Sequence, residues 1–139
     1  MKLKKTLIVV LAIVLVFGAF AVFDTVRAST FHIEVVSVSP EKPVADVRQQ
    51  VEIELRVTHG GKAVEGHSLY AVVSGGGNFK GNRSETDADG IATLTYVPYS
   101  ETMLRPAGPV TISVIDESNS IFLEINTKLE FVIELQPKE

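Results

Sequence analysis

The N-terminal part of the chain is one continuous apolar run. Residues 7–23 carry no charge, and Lys2, Lys4 and Lys5 precede them. As a helix rising roughly 1.5 Å per residue, the run would be about 26 Å long, slightly shorter than the roughly 30 Å hydrocarbon core of a bilayer. The pattern therefore predicts one N-terminal transmembrane or signal helix over about residues 7–23.

Beyond this run, hydrophobic and polar residues form short segments separated by turns. In residues 51–57, four aliphatic residues alternate with Glu, Glu and Arg, and this period of two predicts a strand with one buried and one solvated face. A change of parity between Val35 and Val36 predicts either a β-bulge in the first strand or an edge strand that passes from one sheet to the other. The predicted strands are residues 31–38, 51–57, 69–73, 92–96, 110–114 and 121–135, with a short edge strand or loop at 78–83.

The last segment, residues 121–135, is long for a single strand, so we expect a bend or hairpin at residues 126–128. About seven or eight short strands separated by turns predict an all-β, Ig-like two-sheet β-sandwich. We accordingly divide the chain into an N-terminal signal anchor or signal peptide, residues 1–28, and an extracytoplasmic sandwich domain, residues 29–139.

Two fates are open for the N-terminal helix. Val26 and Ala28 satisfy the small-residue rule for signal-peptide cleavage after Ala28, which would release a secreted domain. The apolar run, however, exceeds the usual 7–15 residues of a signal peptide, and Asp24 and Arg27 can lie at the membrane boundary. These features favour a retained anchor. The basic N-terminus then predicts a single pass with a cytoplasmic N-terminus and the domain outside.

Charge and composition narrow the possible functions. Residues 29–139 carry 16 acidic and 9 basic residues, a net charge of −7. This balance argues against a nucleic-acid surface and against a polybasic patch for anionic lipid. The chain has no cysteine, which excludes disulfides and thiolate metal sites. It has no tryptophan either, and so lacks the Cys–Trp–Cys core of antibody domains.

Several short motifs carry a resemblance to a known family. They are Gly-Lys-Ala-Val-Glu-Gly at 61–66, Gly-Gly-Gly-Asn-Phe at 75–79, Thr-Asp-Ala-Asp-Gly-Ile-Ala at 86–92 and Tyr-Val-Pro at 96–98. With the strands around them, these segments resemble a bacterial Ig-like domain of group 1, the type found in invasins and intimins. The resemblance implies a structural or adhesive module with no catalytic residues. This chain has a single copy of the domain, which argues against a long stalk.

No catalytic, cofactor or metal site can be assembled from the sequence. His59 and His67 could approach each other across a hairpin, but with His32 they lack the acidic partners of a tetrahedral metal site. Asp87 and Asp89 stand directly before Gly90 and have the composition of a tight turn rather than a calcium loop. Residues 75–77 lack the Gly-Lys-Ser/Thr that completes a phosphate loop. We therefore predict that the protein is not an enzyme and needs no cofactor or small-molecule substrate.

Residues 98–109 form the longest predicted connection, which is where binding residues concentrate on a rigid sandwich. Tyr99, Met103, Leu104 and Arg105 are candidate contacts for a protein partner. Apolar loop residues usually cover the end of a core, however, so we expect Met103 or Leu104 to fold back onto the domain.

These observations predict a non-enzymatic binding or structural module of the cell envelope, anchored in the membrane by its N-terminal helix. It would act in adhesion or as an accessory subunit of a membrane complex. The alternative, after cleavage behind Ala28, is a freely secreted Ig-like protein that binds carbohydrate or protein.

Overall fold

The computed structural model describes residues 2–123 and 125–139. An N-terminal helix, α1, is followed by strands that account for most of the remaining chain. The elements are α1 Lys2–Thr30, β1 Phe31–Ser39, β2 Val51–His59, β3 Lys62–Ala63, β4 Ser68–Ser74, β5 Asn78–Phe79, β6 Arg83–Glu85, β7 Ile91–Val97, β8 Pro109–Asp116 and β9 Lys128–Glu134.

The strands form two antiparallel sheets. One has the order β1-β2-β7-β5, with β3 paired to the free part of β2, and the other has the order β6-β4-β8-β9. The predicted all-β sandwich is therefore confirmed. The described residues contain nine strands rather than seven or eight, because β3 and β5 have only two residues each and are too short to show a period of two.

The hydrophobic core lies between the sheets, as the alternation of β2 predicts. Every second residue of β2 is buried, and β4, β7 and β8 contribute alternate residues to the same cluster. The fully buried side chains include Val51, Ile53, Leu55, Val57, Leu69, Tyr96, Ile112 and Val114.

The predicted bulge in β1 is present. The register against β2 shifts between Val35 and Ser37, which leaves Val36 exposed. One extra residue in the strand reverses the facing of all that follow. The shift therefore returns Val38 to the core, against which it packs.

The helix and the last predicted strand differ from expectation. Helix α1 continues to Thr30, well past the predicted end near residue 23, and leads directly into β1. Residues 121–123 and 125–127 are not a strand, and β9 begins only at Lys128. The backbone N–H groups of Ile121, Phe122 and Leu123 donate to the Asp24 carboxylate on α1 instead of to a neighbouring strand. The last turn of α1 packs on the sandwich through Arg27, which donates to the Asn119 carbonyl, and through the Ala28 carbonyl, which accepts from the Thr127 hydroxyl.

The sandwich has two distinct ends, which we name by their distance from α1. The helix-proximal end contains the start of β1, the Gly60–Gly61 turn and residues 117–123 and 125–127. The helix-distal end contains residues 75–77 and 98–109. At the proximal turn both glycines have positive φ, 57° and 80°, as the two-residue hairpin joining β2 and β3 requires.

Candidate functional site

The loop of residues 98–109 folds into a small hairpin at the helix-distal end. The backbone N–H of Thr102 donates to the carbonyl of Arg105 at 2.9 Å, and that of Arg105 donates back to Thr102 at 3.1 Å. The Thr102 hydroxyl also accepts from the Arg105 N–H at 3.1 Å. These bonds close a tight turn whose two central residues are Met103 and Leu104.

Both central side chains point away from the domain. The exposed fraction of Leu104 is 98%, and Met103 is also fully exposed. The expectation that one of them folds back onto the core was wrong. Closure of the hairpin at Thr102 and Arg105 turns the tip outward, while Tyr99 and Ala107 pack against the core instead.

Arg105 connects the hairpin to the glycine-rich bend beside it. Its Nη2 donates to the carbonyl oxygen of Gly75 at 2.7 Å, and its guanidinium lies 4.2 Å from the centroid of the Tyr99 ring. The Tyr99 hydroxyl in turn donates to the carbonyl of Pro106 at 2.9 Å. Of the four predicted contact residues, Tyr99 and Arg105 therefore hold the loop in shape, and Met103 and Leu104 are the pair left free.

The bend at residues 75–77 allows this close approach. A Cβ added at Gly76 would collide with Nη2 of Arg105, and one added at Gly77 would lie 2.5 Å from the Tyr96 hydroxyl. The bend therefore depends on residues without a Cβ at both positions. Tyr96 itself donates its hydroxyl to the carbonyl of Gly76 at 2.7 Å.

Burial sets the acidity of that tyrosine. Removal of the phenol from water raises the pKa of Tyr96 to about 12, with nearby Tyr99 adding to the rise and Arg105 opposing it. The hydroxyl therefore stays protonated, and remains a donor to Gly76, over the whole physiological range.

Charged and polar groups lie beside the 98–109 loop. The backbone of the 98–109 loop is joined to residues 43–50 by bonds from Glu101 N–H to the Ala45 carbonyl at 3.1 Å and from Val47 N–H to the Ser100 hydroxyl at 3.1 Å. Hydrogen bonds from the Arg48 side chain and backbone, and a further bond from Lys138, hold the pKa of Asp46 well below its usual range. A polar, ionised rim thus flanks the hairpin.

The histidines are placed at the opposite end, and sequence reasoning missed their main partner. The rings of His59 and His67 both lie against Phe31, with centroids 4.2 and 5.2 Å from its ring. Nδ1 of His67 is 2.7 Å from Oδ2 of Asp116, a fully buried carboxylate whose Oδ1 accepts from the Ser118 N–H at 2.9 Å. The Asp-x-Ser spacing after a strand was the one available signal for that turn.

These groups do not make a metal centre. Within the described residues, no three His, Asp or Glu side chains are grouped so that they could hold an ion. Asp87 uses its carboxylate to accept from the N–H groups of Asp89 and Ile91, both at 2.9 Å, as a turn residue does.

Comparison with known proteins identifies the fold. No family model and no curated protein sequence matches the chain. The structure is similar to the D00–D0 domain of intimin, with a TM-score of 0.56 and 18% identity, covering 76% of this chain and 48% of that one. It is also similar to the D0–D1 domain of intimin, with a TM-score of 0.50 and 14% identity, covering 78% and 50%.

A third similar structure is a C-terminal fragment of intimin in complex with the intimin-binding domain of the translocated intimin receptor. Its TM-score is 0.54 and its identity 14%, covering 73% of this chain and 33% of that one. The chain thus spans half or less of each of these proteins. The predicted resemblance to intimin-type bacterial Ig-like domains is confirmed for the fold.

Proposed function

We propose that this protein is a non-enzymatic, membrane-anchored Ig-like module that binds a protein partner in the cell envelope through the tip of its 98–109 hairpin. It would act in adhesion or as an accessory subunit of a membrane complex. The observation that carries the proposal is the full exposure of Met103 and Leu104 on a hairpin that is held in shape from behind.

The tip has the physical properties of a binding anchor. Burying one such side chain in a partner would contribute roughly 1.5–3 kcal/mol. Because Arg105 and Tyr99 already hold the turn, little further ordering is needed when the partner binds. Two apolar side chains within a polar rim resemble the small anchor clusters that dominate protein interfaces, so the partner should offer an apolar pocket.

The solved relatives of this fold support a protein partner over a carbohydrate. One of the similar structures is an intimin fragment bound to the intimin-binding domain of its receptor, a protein. A methionine–leucine pair also offers no hydrogen bonds to sugar hydroxyls, whereas it fits a hydrophobic pocket.

Contacts at the base of the domain support retention of α1. In length and composition the helix can cross a membrane, as signal sequences also can. Nε of Arg27 donates to the carbonyl of Asn119 at 2.9 Å, and the carbonyl of Ala28 accepts from the Thr127 hydroxyl at 2.7 Å. Cleavage after Ala28 would remove both of these helix groups from the domain and divide the helix. We therefore propose a single-pass protein with a cytoplasmic N-terminus. A mature chain that starts at Ser29 by mass spectrometry would instead establish the secreted alternative.

Site-specific crosslinking tests the binding surface. A photoreactive residue replacing Leu104 should join the full-length protein to one defined neighbour in native envelopes. The same replacement at Val132, an exposed apolar residue on β9, is the matched control and should not. The double variant Met103→Ser/Leu104→Ser should lose co-purification of that neighbour, and Val132→Ser should keep it. Equal crosslinking at both positions would refute the tip as the contact.

A further inference from the structure

The loop of residues 120–123 presents apolar side chains beside the helix. Ile121 and Phe122 are 55% and 46% exposed, and Ser120 and Leu123 complete an uncharged tetrapeptide. Residues 121–123 belong to a predicted strand and have no part in the function predicted from the sequence. In the fold it is a segment of the sandwich that packs directly along α1.

Phe122 lies at the level of the apolar run of the helix. Its ring stacks on Phe20, with centroids 4.4 Å apart and planes 11° apart, and meets Phe23 edge-on at 5.5 Å. Phe20 is three residues, or about 4.5 Å of helix, inside the last residue of the uncharged run at Phe23. If that run occupies the hydrocarbon core, the Phe122 ring is at the depth where acyl chains begin.

Asp24 explains how a loop can exist at this depth. Backbone N–H groups near lipid need partners within the protein, because no water is available to satisfy them. The Asp24 carboxylate, itself fully buried, accepts from the N–H groups of Ile121 at 3.2 Å and Phe122 at 2.9 Å, from that of Leu123, and from the Ser120 hydroxyl at 3.2 Å. These hydrogen bonds give partners both to the buried carboxylate and to the backbone N–H groups of the loop.

From these contacts we infer that residues 120–123 form a second membrane contact, inserting Ile121 and Phe122 into the interfacial region of the outer leaflet while Asp24 holds the loop against α1. The inference rests on the proposal that α1 is retained and crosses the bilayer. The occupant is lipid because the loop surface is continuous with the lipid-facing surface of the helix. The consequence is a sandwich held in a fixed orientation with its distal tip away from the membrane.

Tryptophan fluorescence tests the inference, because the chain has no tryptophan of its own. Three full-length proteins each carry one introduced tryptophan: the loop variant Phe122→Trp, the helix variant Phe17→Trp and the strand variant Val132→Trp. Each is placed in phosphatidylcholine vesicles with bromine near the glycerol end or near the methyl end of the acyl chains. The loop variant should have a blue-shifted emission maximum and should be quenched mainly by the shallow bromines. The helix variant should be quenched by the deep bromines, and the strand variant by neither.

The outcomes separate this inference from the proposed function. Quenching of the helix variant without quenching of the loop variant would overturn the loop contact and leave the anchor standing. Blue-shifted but unquenched emission from the loop variant would mean that a protein surface covers the loop, which also overturns the inference. If the helix variant is unquenched as well, the helix does not cross the bilayer and both proposals fail together.

The role of Asp24 has its own test in the same proteins. Asp24→Ala in the loop variant should release the loop and reduce quenching to the level of the strand variant, while Asp24→Ala in the helix variant should leave quenching by the deep bromines unchanged. Thr25→Ala is the matched control, since the Thr25 hydroxyl donates within the helix, to the carbonyl of Ala21 at 2.7 Å. Unchanged quenching of the loop variant after Asp24→Ala would overturn the proposed role of this carboxylate.

Discussion

Both ends of this sandwich expose apolar side chains on a loop, but the two loops are fixed by different kinds of hydrogen bond. At the helix-proximal end, residues 120–123 take their shape from another element, because their N–H groups bond to Asp24 on α1. At the helix-distal end, the hairpin closes on itself through Thr102 and Arg105, and the side chains of Met103 and Leu104 extend into solvent. The proximal loop therefore depends on contacts with another element, whereas the side chains of the distal tip make no contribution to the packing of the fold.

This difference predicts how substitutions at the two ends should affect the stability of the fold. A change among the buried polar groups of the proximal end should destabilise the fold, because these groups join separate segments: Asp24 joins α1 to residues 120–123, and Asp116 joins His67 to the turn after β8. A change at the distal tip should alter the surface and leave the fold intact. The following predictions test that contrast, beginning with the largest effect on stability.

Asp116→Ala should give the largest loss at the proximal end. The carboxylate is fully buried and joins His67, in the turn before β4, to the turn that follows β8. Its removal leaves the Ser118 N–H and the His67 ring without their partner, at a cost of about 3 kcal/mol. Thermal unfolding of the full-length protein in detergent, followed by circular dichroism, should show a fall in Tm of roughly 10 °C or more.

Glu117→Ala is the control for that variant. Glu117 is the next residue and pairs with Arg83 at 3.0 Å, but both side chains are partly in water. An exposed ion pair contributes about 0–1 kcal/mol, so Tm should hardly move. Equal losses for the two variants would contradict the view that burial makes Asp116 important.

Alkaline pH should weaken the distal core through Tyr96. Its folded pKa of about 12 is above the ordinary 10.0 because the phenol is buried. Between these values the unfolded chain binds fewer protons than the folded one, so the free energy of unfolding falls as pH rises, by about 2–3 kcal/mol at pH 12. Below pH 10 both states are protonated and this contribution is constant.

Tyr96→Phe separates that tyrosine from the other groups that titrate in alkali. The variant loses the hydrogen bond to Gly76 at all pH values, and its stability between pH 10 and pH 12 should fall less steeply than that of the wild type. Urea unfolding at several pH values measures the two slopes. Parallel slopes would show that Tyr96 does not carry the effect.

Arg105→Ala should have a smaller and local effect. It removes the bond to the Gly75 carbonyl and the contact with the Tyr99 ring, both near solvent, at a cost of about 1 kcal/mol. Amide hydrogen exchange should accelerate at residues 99–106 and remain unchanged in β2 and β8. Arg105→Lys keeps a hydrogen-bond donor but loses the planar stack on Tyr99, so its exchange rates at residues 99–106 should lie between those of the wild type and Arg105→Ala. Faster exchange throughout the sheets would contradict a hairpin that is held locally.

Sequence patterns predicted the sandwich correctly for strands that bury one face in the core between the sheets. The alternation of β2 and the parity change at Val36 are local signals, and each was found in the structure. For residues 121–123 and 125–127 the same reasoning gave a wrong prediction. Alternating apolar residues do not reveal whether they face a second sheet or a helix, and the group that decides, Asp24, is 99 residues away from Leu123.

The distal loop was predicted as a loop, but the placement of its tip was wrong for a related reason. Whether Met103 and Leu104 turn inward depends on closure between Thr102 and Arg105 and on Tyr99 filling the end of the core. Neither contact has a signature in the sequence. Tertiary contacts, rather than hydrophobicity, decided which apolar residues were left exposed.

Met103→Ser/Leu104→Ser should change stability least of all. Both side chains are fully exposed, so the folded state loses no buried surface and the free energy of unfolding should stay within about 0.5 kcal/mol of the wild type. Leu135→Ser, which removes a buried side chain joined to the same end through the Gly108 carbonyl, should cost about 3–5 kcal/mol. Urea unfolding of both variants decides the point: a double variant as unstable as Leu135→Ser would make the tip part of the core, and the partner-binding proposal would lose the exposed pair on which it depends.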